Sequence, residues 1–141
     1  MICMNTRDIA PVQVKELKYG GRSFEVKGTL VKWLIHKNRG GDEYQHNHAL
    51  RQFTVAPNGD IPMHNHKYTE IVYVLSGKGL CSALSKDGKT ETSEIGPGDF
   101  IYTYTFEPHA IVNLSDTEPL VFLCCVECVD DKENCLPVVA C

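Results

Sequence analysis

The sequence predicts an all-β sandwich or barrel, and three observations carry that prediction. Turn chemistry recurs at short intervals, at Gly20-Gly21, Gly40-Gly41, Asn58-Gly59, Asp87-Gly88 and Gly96-Pro97-Gly98. Between these points lie short runs rich in β-branched and aromatic residues: Leu30–His36, Gln52–Ala56, Glu70–Leu75, Phe100–Phe106 and Leu120–Val129. Strands at that spacing indicate a closed or two-layered β fold. No segment of helical length keeps apolar residues at three-and-four spacing without an interrupting Gly or Pro.

The 141 residues suit one domain with a single core. Residues 1–29 are less regular and read as an N-terminal arm, either an extra strand on the sheet edge or a segment crossing to a second subunit. Residues 30–129 hold the strand runs and form the barrel. Within them, Leu80–Leu84 and Thr90–Glu94 flank Asp87-Gly88, the strongest hairpin signal in the chain. Residues 130–141 form a cysteine-containing tail that turns polar and then ends in Leu136-Pro137-Val138-Val139-Ala140-Cys141. Its conformation is not assigned by pattern.

Composition excludes several functions. Fourteen basic against eighteen acidic residues give a net charge of −4, without the basic footprint of a nucleic-acid binder. No apolar run approaches membrane-spanning length, and the first ten residues lack the order of a signal peptide. A cytoplasmic location is therefore expected. The seven cysteines are an odd number, and without an export signal reduced thiols are expected over a disulfide framework.

The chemistry concentrates in two strings. The first is Gly59-Asp-Ile-Pro-Met-His64-Asn-His66-Lys-Tyr-Thr-Glu70, the second Glu107-Pro108-His109-Ala-Ile-Val-Asn113. Histidines two apart on a strand share a face. Glu70, four residues beyond His66, returns to that face if the strand runs on unbroken. Three imidazoles and a carboxylate on one concave surface would bind a divalent first-row metal (iron, manganese, nickel, cobalt or zinc) and leave coordination positions open. Such a centre can polarise an oxygen donor, acidify water or, with iron, support dioxygen chemistry. Glu70, if only loosely held, could instead serve as a general base.

Together the two strings resemble the paired motifs of a small single-domain cupin. The first motif reads Gly59, His64-Asn-His66, Glu70 and Gly77, and the second reads Gly98-Asp99, His109 and Asn113. The resemblance implies a double-stranded β-helix, or jelly roll, with His64, His66, Glu70 and His109 holding a metal inside one end of the barrel. It also implies a homodimer. The sequence departs from the family pattern in two places. Gly59 precedes His64 by one residue fewer than usual, and Tyr104 and Phe106 stand where a Pro and a Gly are usual. A Gly position takes backbone angles that Phe disfavours, so the entrance to the site is expected to be altered.

Other residues carry weaker signals. His46-Asn-His48 repeats the two-residue spacing but has no matching carboxylate, and a surface or rim position is expected. His36 reads as a strand residue. The sequon Asn113-Leu-Ser115 falls inside the second motif and reads as structural. Arg51 and Gln52 could each supply a polar group to the pocket, and Tyr68, Tyr73, Tyr102 and Tyr104 mix core packing with pocket lining. The tail admits three readings: packed inert thiols, a disulfide, or a second metal set from Cys125, Cys128, Cys135 and Cys141.

Three functions fit these signals. The first is a metalloenzyme acting on a small polar organic molecule by oxygenation, isomerisation or elimination. The second is a non-catalytic sensor of a small molecule or a metal. The third is a thiol-responsive protein regulated through its tail.

Overall fold

The computed structural model describes residues 1–40, 43–44 and 46–128. After one 3-10 turn at Thr6–Asp8, the strands are β1 (Val12–Gln13), β2 (Glu16–Tyr19), β3 (Arg22–Glu25), β4 (Lys27–Ile35), β5 (His48–His64) and β6 (Glu70–Ser76). They continue with β7 (Gly79–Leu84), β8 (Thr90–Ile95), β9 (Phe100–Thr103), β10 (His109–Asn113) and β11 (Leu120–Glu127). Nine of them form one sheet in the order β8-β7-β10-β5-β11-β6-β9, with β4 also on β5 and β1 on β4. Every pairing is antiparallel. The sheet curls into a nearly closed barrel, the double-stranded β-helix. No helix among the described residues is long and apolar enough to cross a membrane.

Strand β5 is the spine of the barrel, and it changes partners halfway. Its first half, His48 to Val55, pairs with β11, while Asp60 to His64 pair with β10. The change falls at Asn58-Gly59, the dipeptide that reads as a turn in sequence. Asn58 there adopts a left-handed φ of 59°, and a Cβ on Gly59 would come within 2.8 Å of two carbonyl oxygens. The turn signal therefore marks a kink within one long strand rather than a break between two. This is why β5 outruns the expected Gln52–Ala56.

Alternation builds the core. Leu120, Phe122, Cys124 and Val126 of β11 point inward, as do Ala49, Phe53 and Val55 of β5 and Val72 and Val74 of β6. The Phe53 and Phe122 rings stack at 5.3 Å across the β5–β11 ladder. The hairpin at Asp87-Gly88 forms as expected, with Leu84 opposite Thr90. The run from Phe100 ends as a strand at Thr103 and gives way to a turn.

Two motif residues prove to be frame rather than site. Gly77 has φ 87°, and a Cβ there would lie 2.4 Å from the Pro119 carbonyl oxygen, so no side chain fits. The buried Asn113 amide donates to the carbonyls of Val55, Ala56 and Glu118 at 2.8–3.1 Å, clamping β5 to the β10–β11 connection. The structural reading of the sequon agrees with that burial.

Candidate metal centre

His64 is the last residue of β5 and His109 the first of β10, and the two are direct partners in the ladder. Their rings sit 4.3 Å apart. His66 and Glu70 reach the same place by another route. The chain leaves the sheet after His64, and Glu70 opens β6 on the far side of a bend. The condition that the strand run unbroken from His64 to Glu70 is not met. The residues converge because the loop folds back, not because they share strand parity.

That loop is tied down around His66. Its ring stacks on the buried Tyr68 ring at 3.9 Å and 6°. Its Nδ1–H donates to the Tyr68 carbonyl at 2.8 Å. His64 Nδ1–H donates to Pro62 at 2.9 Å, and His109 Nδ1–H to Glu107 at 2.8 Å. A carbonyl can only accept, so each Nδ1 must carry the proton and each Nε2 presents a lone pair. Backbone contacts thus fix all three tautomers in the form a metal takes.

The ligand atoms of His64, His66 and His109 lie within 4.8 Å of one another, near the span of one ion with bonds of about 2.1 Å. The Nε2 atoms of His66 and His109 are buried without a hydrogen-bond partner. Glu70 stands beside this trio, its carboxylate 3.5 Å from His66 Nε2 and 3.9 Å from His109 Nε2. Lone pairs of two imidazoles and a carboxylate directed at one another repel unless a cation intervenes. The donor set therefore fits a divalent metal.

Electrostatics agree. Burial, helped by neighbouring His109, lowers the His64 pKa to about 4, so its imidazole is neutral at pH 7. Burial pushes Glu70 upward, but His66, His109 and Arg51 outweigh it and hold the carboxyl well below the usual range. His64 and Glu70 are thus both deprotonated at neutral pH, the form in which each can serve as a ligand.

Arg51 is the residue that sequence reasoning left unassigned. It is fully buried, 3.6 Å from Glu70 and 2.9 Å from Cys124 Sγ, and its guanidinium packs over Trp33 and Phe53. The signal was strand parity, since Arg51 alternates inward with Ala49, Phe53 and Val55, whereas Gln52 points away. A buried cation behind Glu70 draws on the carboxylate's charge and leaves the three imidazoles as the principal donors.

The remaining sequence candidates lie elsewhere. His46 accepts no role here: its Nε2 is 2.7 Å from the Arg39 carbonyl and its ring stacks on Tyr44. His48 opens β5 at the surface, and His36 is buried edge-on to Trp33. Tyr73 and Tyr102 face outward. Cys125 has a free thiol, half-buried and raised in pKa by burial, whereas Cys128 is disulfide-bonded, which corrects the expectation of reduced thiols at that position. Cys135 and Cys141 lie outside the described residues, so the four-cysteine set is not described here. Phe106 keeps the left-handed backbone that a Gly would take, at φ 63°, with its ring exposed and its N–H donating to the His66 carbonyl at 2.7 Å.

A family model described as the cupin domain matches residues 51–126. The chain belongs to the cupin family. Among solved structures this cupin resembles the polyketide cyclase RemF of Streptomyces resistomycificus, at 30% identity and a TM-score of 0.68, over 91% of this chain and 80% of that one. A cupin-2 domain protein of Rhodospirillum rubrum shares the fold at 20% identity and a TM-score of 0.69, covering 97% and 82% of the two chains. A protein of Arthroderma benhamiae described as a probable oxalate decarboxylase is 28% identical over 78 residues, 55% of this cupin. The cupin spans only 19% of that relative's length.

Proposed function

We propose that this cupin is a metalloenzyme that holds one divalent transition metal on His64, His66 and His109, with Glu70 beside it, and acts on a small organic molecule bearing an oxygen donor. The observation that carries the reading is the trio of Nδ1-protonated imidazoles whose Nε2 atoms converge, two of them buried without a hydrogen-bond partner. When bound, such a metal supplies Lewis-acid polarisation or, if redox-active, dioxygen chemistry.

The chain's own residues supply the rest. The three backbone-locked imidazoles hold the donor atoms in place and need no reorganisation on binding. Phe53, Ile61, Ile111 and Phe122 line the space beside them and exclude bulk water. Glu70, held anionic next to the trio, can accept a hydrogen bond from a bound molecule or add a carboxylate oxygen to the donor set.

A homodimer in the cytoplasm is the setting proposed for this activity. In support, Ile71 and Tyr73 of β6 and Phe100 and Tyr102 of edge strand β9 form exposed, directly paired positions, an apolar surface of the kind subunit contacts cover. A solution mass of one chain would remove that element.

The test of activity is turnover by iron-, manganese-, nickel-, cobalt- and zinc-loaded protein with small oxygen-donor acids and phenols, with and without dioxygen. Product formation that is lost in His64→Ala supports the enzyme. A compound that raises the melting temperature yet is recovered unchanged with every metal would point instead to a sensor.

A further inference from the structure

The cavity beside His64, His109 and Glu70 measures about 20 Å3, room for roughly one water molecule. No organic substrate fits in it as it stands, so some wall must move. Phe53, Ile61, Ile111 and Phe122 belong to strands paired within the main sheet. The remaining apolar walls are Val14 and Leu17, from the N-terminal arm.

The arm is held differently from the barrel. Strands β2 and β3 pair with each other and form a sheet of their own. Of their eight residues Leu17 alone is buried, and its side chain enters the cavity wall. The arm's ties to the barrel include the two-residue β1–β4 ladder, the Val14 N–H donating to Thr29 at 3.0 Å and Lys32 of β4 donating to the Thr6 carbonyl at 2.7 Å, all on the segment before Lys15. The Val26 N–H closes the hairpin base on Lys15 at 2.9 Å. An element with one buried side chain and few shared backbone bonds opens at much lower free energy than a core strand.

We propose that the β2–β3 hairpin is the gate of the metal cavity, with Leu17 as its plug, and that the molecule it admits is apolar over the part that does not meet the metal. The substrate class rests on the metal reading above; the gate does not. Lifting the hairpin withdraws a leucine side chain from the cavity and opens it to solvent. Outside the histidines and Glu70 the walls are apolar apart from the Cys124 thiol. A small dianion would find no charged wall group of opposite sign, whereas a hydrocarbon body would pack against Phe53 and Phe122.

Hydrogen exchange on the full-length metal-free protein tests the gate directly. The Val14 and Val26 amides should exchange at least about 100-fold faster than the ladder amides of β5 and β11; equal protection overturns the gate. In cobalt-loaded protein, Leu17→Ala should raise the association rate of 4-methylcatechol at least about tenfold, while Phe24→Ala, exposed on the same hairpin, leaves it unchanged. A rate within about twofold of the parent, with cobalt still bound, would place entry elsewhere, such as the cleft of about 440 Å3 between β8 and β9, and sink the proposal. Oxalate binding more tightly than 4-methylcatechol would contradict the apolar substrate class. If cobalt does not bind at all, the metal reading fails while the exchange comparison still decides the gate.

Discussion

His64 and His109 face each other across a ladder, whereas His66 lies in the loop between β5 and β6 and Glu70 opens β6. The first pair is positioned by register: moving either residue would mean slipping a strand that is packed on its inner face. In the second pair only His66 lies off the sheet, held by the Tyr68 ring and by hydrogen bonds of the loop backbone, while Glu70 is paired with Thr103 and Val126 and has its carboxylate backed by Arg51. One half of the site is therefore as rigid as the barrel. The other half depends on a small number of buried contacts, and substitutions there should separate the two.

The largest effect is expected at Arg51. Arg51→Met removes the cation facing a buried carboxylate and should cost the metal-free protein about 3–5 kcal/mol in chemical denaturation. Adding Glu70→Gln should recover part of that loss, since no uncompensated charge then remains. A loss under about 1 kcal/mol would mean that Glu70 is held by something else.

Acid should act on the register-held half. Burial lowers the pKa of His64 in the folded protein to about 4 from its ordinary 6.5, so between these values the unfolded chain takes up a proton that the folded one does not. The contribution is complete above pH 6.5 and fades as the pH falls toward 4, to a total of about 3 kcal/mol. Thermal unfolding of parent and His64→Gln across this range checks it: the parent should lose stability more steeply. Parallel curves would contradict the lowered value.

The smallest effect concerns the turn that leads into the second motif. A phenylalanine in the left-handed region carries about 1–2 kcal/mol of backbone strain. Phe106→Gly should relieve part of it, raising stability by about 1 kcal/mol in equilibrium unfolding. Lower stability would show that the exposed ring has a packing role outside this chain.

Some of this was legible in sequence and some was not, for physical reasons. The ligand residues stood out because their spacing is fixed by the fold. The even offset from His66 to Glu70 counted only for an unbroken strand, and strand parity does not reveal where a chain leaves the sheet. Asn58-Gly59 was misleading for the opposite reason: a left-handed residue can kink a strand that hydrogen bonding on both flanks keeps intact. Arg51 could have been placed by its alternation with Ala49, Phe53 and Val55, but a charge on an inward face argues against its own burial until a partner is known. Leu17 could not have been placed at all. It lies far in sequence from the histidines it covers, and nothing local marks it.

Metal content tests the central claim most directly. Protein purified without added metal or an affinity histidine tag should carry up to one divalent transition ion per chain, and should reach one on titration. Binding should be lost in His64→Ala and His109→Ala and weakened but retained in Glu70→Gln. Stoichiometric metal that survives both histidine substitutions, or no binding of iron, manganese, nickel, cobalt or zinc by the parent, would contradict the account.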